Sequence, residues 1–147
     1  MSDHYSARIE IGGDLPRQHL PRFCRLFEAG DEEELLGHIE DGHLVLEDEQ
    51  AAWGEFFELE SACRDLDLPY RRRSEGCWQQ PPQLVFWQPG MEEPESVTTN
   101  GDGDMLTSMD TLCEVREHLR AGRAAEALAL LEETIVEVPA LPPFRLV

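Results

Sequence analysis

Between Glu28 and Asp67 fifteen carboxylates and a single basic residue, Arg64, alternate with Leu35, Leu36, Ile39, Leu44, Val45, Leu46, Trp53, Phe56, Phe57 and Leu59. A polyacidic tail stays solvated because it has nothing to bury. This stretch has enough apolar surface to fold, so its acids are expected on a shaped surface rather than on a flexible brush. It carries a local charge of −14 out of a formal total of −19. Any fold for the chain must bury one side of this segment and keep the other in water.

At 147 residues the chain has the length of one domain and can enclose a core. A sequence pI near 4.4 disfavours nucleic acid and anionic membranes and favours basic proteins or cations. All twelve basic residues are arginine, which GC-rich coding explains. Met1 to Tyr5 has no basic n-region leading into an apolar segment, and no apolar run is long enough to span a bilayer. Cys24, Cys63, Cys77 and Cys113 lie far apart, as reduced thiols of a cytoplasmic protein do.

Ser6–Gly12 alternates as a half-buried strand. Pro16 and Pro21 suit a first helical turn, Leu20, Phe23, Cys24, Leu26 and Phe27 form a stripe, and Gly30 is placed to close that helix. Asp31–Glu34 can cap a short helix, or Leu35–Ile39 can be a strand. Asp41-Gly42 then favours a hairpin return into a strand beginning at His43. A helix is predicted over Glu49–Leu66, burying Ala52, Phe56, Leu59, Cys63 and Leu66 and turning Trp53 and Phe57 away from the core stripe. Tyr70–Ser74 and Gln83–Trp87 read as a hairpin with a long loop carrying Cys77 and Trp78. Met91–Asp104 is an acidic connector with room for a short strand at Ser96–Thr99. Helices over 105–119 and 124–136, with Leu112, Val115, Leu119, Leu128, Leu131 and Ile135 inward, form a hairpin packed on the same domain. Residues 139–147 are a Pro-rich extended tail. The expected class is α+β: a mixed, mainly antiparallel sheet over residues 1–90 with helices on one face, plus the C-terminal αα-hairpin.

Motifs that carry chemistry are incomplete. Asn100-Gly-Asp102-Gly-Asp104 resembles the opening of a calcium loop, but Met105 and Thr111 stand where glycine and glutamate are required. His38 and His43 are too few for a zinc site. Cys77, near Arg73, is the one candidate for a reactive thiol, with no base in the sequence to serve it. Arg71-Arg72-Arg73 with Trp78 and Trp87 could be a single-strand nucleic-acid patch, which the net charge opposes. The chain therefore reads as a non-enzymatic protein without cofactor or metal, binding a basic, nucleic-acid-binding surface of a partner protein. A DNA-mimic inhibitor of a bacterial defence complex, anti-CRISPR or anti-restriction in type, fits that description. The residues expected at the interface are Asp31, Glu32, Glu33, Glu34, Glu40, Asp41, Glu47, Asp48, Glu55 and Glu58, with Trp53 and Phe57 as apolar anchors. The alternative is an adaptor that binds through the C-terminal hairpin or the Trp78 loop, its acids serving solubility alone.

Overall fold

The computed structural model describes residues 4–52, 55–76 and 80–147. Trp53, Cys77 and Trp78 lie outside the described residues, so the expectations resting on them have no structural account.

The chain is an α+β fold built on a six-stranded antiparallel sheet. Its strands are β1 (His4–Ile11), β3 (Ile39–Glu40), β4 (His43–Ala52), β5 (Tyr70–Ser74), β6 (Gln83–Trp87) and β7 (Glu95–Thr98), arranged in the order β3-β4-β1-β5-β6-β7. A separate parallel pair joins β2 (Gly13–Leu15) to β8 (Phe144–Leu146). The helices are α1 (Leu20–Leu26), α2 (Glu32–Leu36), α3 (Phe57–Asp65), α4 (Met109–Arg120) and α5 (Ala124–Thr134).

Alternation on the central strand sets the layers. Tyr5, Ala7, Ile9 and Ile11 are buried while Ser6, Arg8 and Glu10 are half-buried on the opposite face. Ile9 and Ile11 share one core with Phe23 and Phe27 of α1, Leu35 of α2, and Leu59, Ala62 and Cys63 of α3, so these three helices lie on one face of the sheet. Tyr70 and Trp87, paired across β5 and β6, extend that core with near-parallel rings whose centroids are 6.2 Å apart. Burial and the Glu60 charge, opposed by Arg64, push the Tyr70 phenol up to about 12.

Local signals explain most of the elements. Pro21 lies in the first turn of α1. That helix is closed by Glu28 in the left-handed region (φ 54°), with Ala29 N–H bonded to Cys24 C=O at 2.7 Å, and not by Gly30. Asp31 caps α2 through the Glu34 N–H, so the helical option for this stretch is the one realised. Asp41 (φ 50°) and Gly42 (φ 84°) give the consecutive positive φ values of a two-residue hairpin turn between β3 and β4.

The helix predicted from Glu49 begins only at Phe57. Residues 49–52 continue β4, because pairing with β1 (Ala51 opposite Tyr5, Ala52 opposite His4) outweighs the helical preference of a Glu- and Ala-rich segment. Alternation then buries Ala51 and exposes Ala52, the reverse of the helical expectation. From residue 57 onward the predicted face holds, with Leu59 and Cys63 buried.

The 91–104 segment contains β7, an outer strand of the sheet, and an Asx-type turn in which Asn100 Oδ1 accepts from the N–H groups of Asp102 and Asp104 at 2.9 Å. The C-terminal tail is part of the core. Phe144 is buried in the main cluster, its N–H bonds Gly42 C=O, and Arg145 makes two hydrogen bonds to Asp14. A Cβ on Gly12 would overlap the Pro142 carbonyl oxygen, so that glycine is required for the tail to approach.

Candidate functional site

The carboxylates expected at an interface fall into two groups. The first is paired with arginine within the fold. Arg8 stands directly opposite Glu47 across the β1–β4 ladder and bonds it, reaches Glu40 at 2.7 Å, and approaches Glu10 at 3.5 Å. Glu10 also accepts from Arg71 Nε at 2.9 Å, so one charge network crosses β3, β4, β1 and β5 on the face away from the helices. Burial works against ionised Glu10, but the Arg71 hydrogen bond and the Arg71 and Arg8 charges outweigh it and hold the carboxyl below the usual range. Glu32 holds Arg17 through both oxygens at 3.1 and 3.0 Å. Glu55 lies 3.9 Å from Arg72.

The second group faces water. Asp31, Glu34 and Asp48 are exposed and tethered by backbone N–H groups, of Glu34, Gly30 and Gln50 respectively. Glu33, Asp41 and Glu58 are exposed without an arginine partner among the described residues. Glu49 belongs with them: it is exposed where β4 continues past Val45, on a stretch whose outer edge carries no strand among the described residues. Sequence reasoning missed Glu49 because it placed the residue in a helix; the run Glu47-Asp48-Glu49-Gln50 is polar throughout and carries no strand alternation that would have signalled otherwise. Carboxylates on this edge also disfavour pairing with a stray strand. Phe57 is 75% exposed at the start of α3, beside Arg22, Arg25 and Glu58.

The cationic run at 71–73 forms no nucleic-acid patch with Trp87. Arg71 serves Glu10. Arg72 is buried, with Nε 3.1 Å from Glu60 and a terminal nitrogen 2.8 Å from Ser74 Oγ. Trp87 is in the core, and its indole N–H bonds Met91 C=O. Only Arg73 is exposed, above a cleft of about 550 Å³ bordered by Arg8, Glu47 and Asn100.

His38 stacks edge-on against Phe27, whereas His43 Nε2 lies 3.0 Å from the Leu141 carbonyl, so the two rings serve different contacts. Among the described residues no three His, Cys, Asp or Glu side chains converge as a metal site. Cys63 is fully buried; burial and the Glu60 charge push its thiol up. Desolvation and the charges of Asp31, Glu32 and Glu34 raise the Cys24 thiol as well. Neither environment activates a nucleophile.

The helices α4 and α5 pack on each other through the Ala121-Gly122-Arg123 turn. The stripes expected inward are largely outward: Val115 and Ala127 are buried, but Leu112 is 47%, Leu119 57%, Leu128 55% and Ile135 60% exposed. Among the described residues no helix is long and apolar enough to cross a membrane.

No protein-family model matches the chain, and neither a curated protein nor a solved structure does.

Proposed function

We propose that this chain is a non-enzymatic binding protein whose anionic surface docks on a basic surface of a partner protein, of the kind that grips nucleic acid. The observation that carries the reading is the division of the carboxylates. Most of the arginines are paired with an acid of the same chain, so the potential presented to a partner is set largely by the unpaired acids on ordered elements. Asp31, Glu33 and Glu34 on and before α2, Asp41 at the β3–β4 turn, Asp48 and Glu49 on β4, and Glu58 on α3 are the contact set. Backbone tethers at Asp31, Glu34 and Asp48 fix three of them in orientation, which reduces the ordering cost of docking. Phe57, beside Glu58, supplies an apolar anchor. A DNA-mimic inhibitor of a defence nuclease works by this chemistry, with carboxylates taking the place of backbone phosphates.

The test is capture of partners on the tagged chain from bacterial lysate, washed at about 0.1 M and about 0.5 M salt. The Debye length falls from about 10 Å to less than half of that between the two washes. A nucleic-acid-binding protein held at low salt, released at high salt and lost by an Asp41→Arg/Glu49→Arg/Glu58→Arg variant is the expected result. A partner retained equally at both salts, or by the triple variant, refutes the reading. A truncation after Pro89 would not serve as a test, because that cut removes β7 and the core residue Phe144.

A further inference from the structure

The exposed stripes of the C-terminal hairpin lead to a second surface, independent of the acidic one. On α4, Met109 (71% exposed), Leu112, Val115 and Leu119 follow at intervals of three, three and four; Leu128 and Leu131 on α5 are three apart, and Ile135 follows just past the end of that helix. Spacing of this kind defines the inner seam of a helical bundle. Here the seam is half finished. The two helices bury Val115 and Ala127 and leave the larger side chains in water. Single exposed leucines are ordinary on a protein surface, but a periodic row on each of two adjacent helices is the pattern of a face that another helix pair covers.

The charges around the seam select the occupant. The turn end of the hairpin carries Arg116, Arg120 and Arg123, which answer Glu117 and Glu126 at 3.3–3.8 Å and leave that end with a small positive excess. The open end carries Asp110 and Glu114 on α4, Glu132 and Glu133 in the last turn of α5 and Glu137 just beyond it, all exposed and without an arginine partner among the described residues. Two hairpins laid side by side in the same direction would bring two strongly acidic ends together. Laid antiparallel about a two-fold axis, each acidic end meets the arginine end of the other. A two-fold interface also needs only one self-complementary patch, which this polarity supplies.

We propose that the chain associates with a second copy of itself through α4 and α5, antiparallel, forming a four-helix bundle seamed by Met109, Leu112, Leu119, Leu128 and Ile135. The formal charge of −19 on each copy opposes the encounter, and at physiological salt its reach is cut to about 8 Å. Dissociation constants on the order of 10 µM are expected for such a small interface under that repulsion.

Sedimentation velocity on the full chain at physiological salt, from about 1 µM to about 100 µM, tests this around the expected constant. The expected result is a monomer–dimer equilibrium that Leu112→Glu and Leu128→Glu each weaken at least tenfold. Both positions are about half exposed, and an unchanged circular-dichroism melt shows that the fold is retained. A monomer throughout the range overturns the proposal, as does a dimer that neither variant weakens. Orientation has its own test: a chain with Arg116, Arg120 and Arg123 changed to Glu, and Glu132, Glu133 and Glu137 changed to Arg. Antiparallel packing requires this reversed chain to pair with itself and to avoid the wild type. Preferential mixing with the wild type overturns the antiparallel arrangement.

Discussion

The buried ion pair between Arg72 and Glu60 offers the sharpest test of how this fold is held. Arg72 is 4% and Glu60 6% exposed, and both are tied in further. Glu60 Oε1 accepts from Arg72 Nε at 3.1 Å while its other oxygen accepts the Phe56 N–H at 2.8 Å, capping the first turn of α3; Arg72 also donates to Ser74. The pair joins the central sheet to α3. Removing Arg72 leaves the Glu60 charge buried and uncompensated, at a cost of about 3–5 kcal/mol, whereas Arg72 without Glu60 keeps Glu55 at 3.9 Å and sits toward the lower end of that range. Glu60→Leu additionally loses the cap, about 1 kcal/mol more. Arg72→Met leaves a carboxylate in the core and is expected at a similar cost. The double variant removes both charges, so it is expected to be less destabilised than the sum of the singles by at least about 2 kcal/mol. Urea titration followed by circular dichroism measures this. With a slope of about 2 kcal/mol per molar, a loss of about 4 kcal/mol moves the midpoint by about 2 M. The reasoning is refuted by a single variant costing under about 1 kcal/mol, or by costs that add in the double variant.

Four further outcomes follow from the geometry. Glu10 has a folded pKa below its unfolded value, so its contribution is present above the unfolded carboxylate range and disappears as pH falls through the folded value; Glu10→Gln should flatten the acid limb of a stability–pH curve and leave the region above neutrality parallel to wild type. Phe144→Ala should cost about 3–5 kcal/mol in urea titration, because a buried aromatic anchors the tail; a loss under about 1 kcal/mol would mean that the tail only lies on the surface. Gly12→Ala should be destabilising by several-fold more than Gly42→Ala, since the first meets the Pro142 carbonyl and the second meets nothing but its own positive φ. In native thiol labelling Cys63 should stay unmodified and become reactive only with global unfolding, read by comparison with a Cys63→Ser chain.

Some of the fold was written in local pattern. Asp41-Gly42 specified a turn because its two positive φ values are cheap for that dipeptide, and the strands on either side alternate. The spacing of Leu59 and Cys63 announced the buried face of α3, and the Ala121-Gly122 turn fixed where α4 gives way to α5. The excess of acids over arginines was likewise plain from composition and limited the partners that can be considered.

What local pattern could not supply was who meets whom. Residues 49–52 carry helix-forming side chains and became strand because β1 lies beside them, a contact between residues 46 to 48 positions apart. Arg8 pairs with Glu40 and Glu47 only because β1 is central and β4 its neighbour, and Arg72 finds Glu60 only because α3 crosses the face that β5 shares. The seam on α4 and α5 shows the same limit from the other side, since periodicity marks a face as apolar without saying what covers it. Local sequence determined most of the elements and the sign of the surface. The tertiary structure decided which carboxylates remain for a partner, because charge pairing depends on distances of a few ångströms that strand order alone sets.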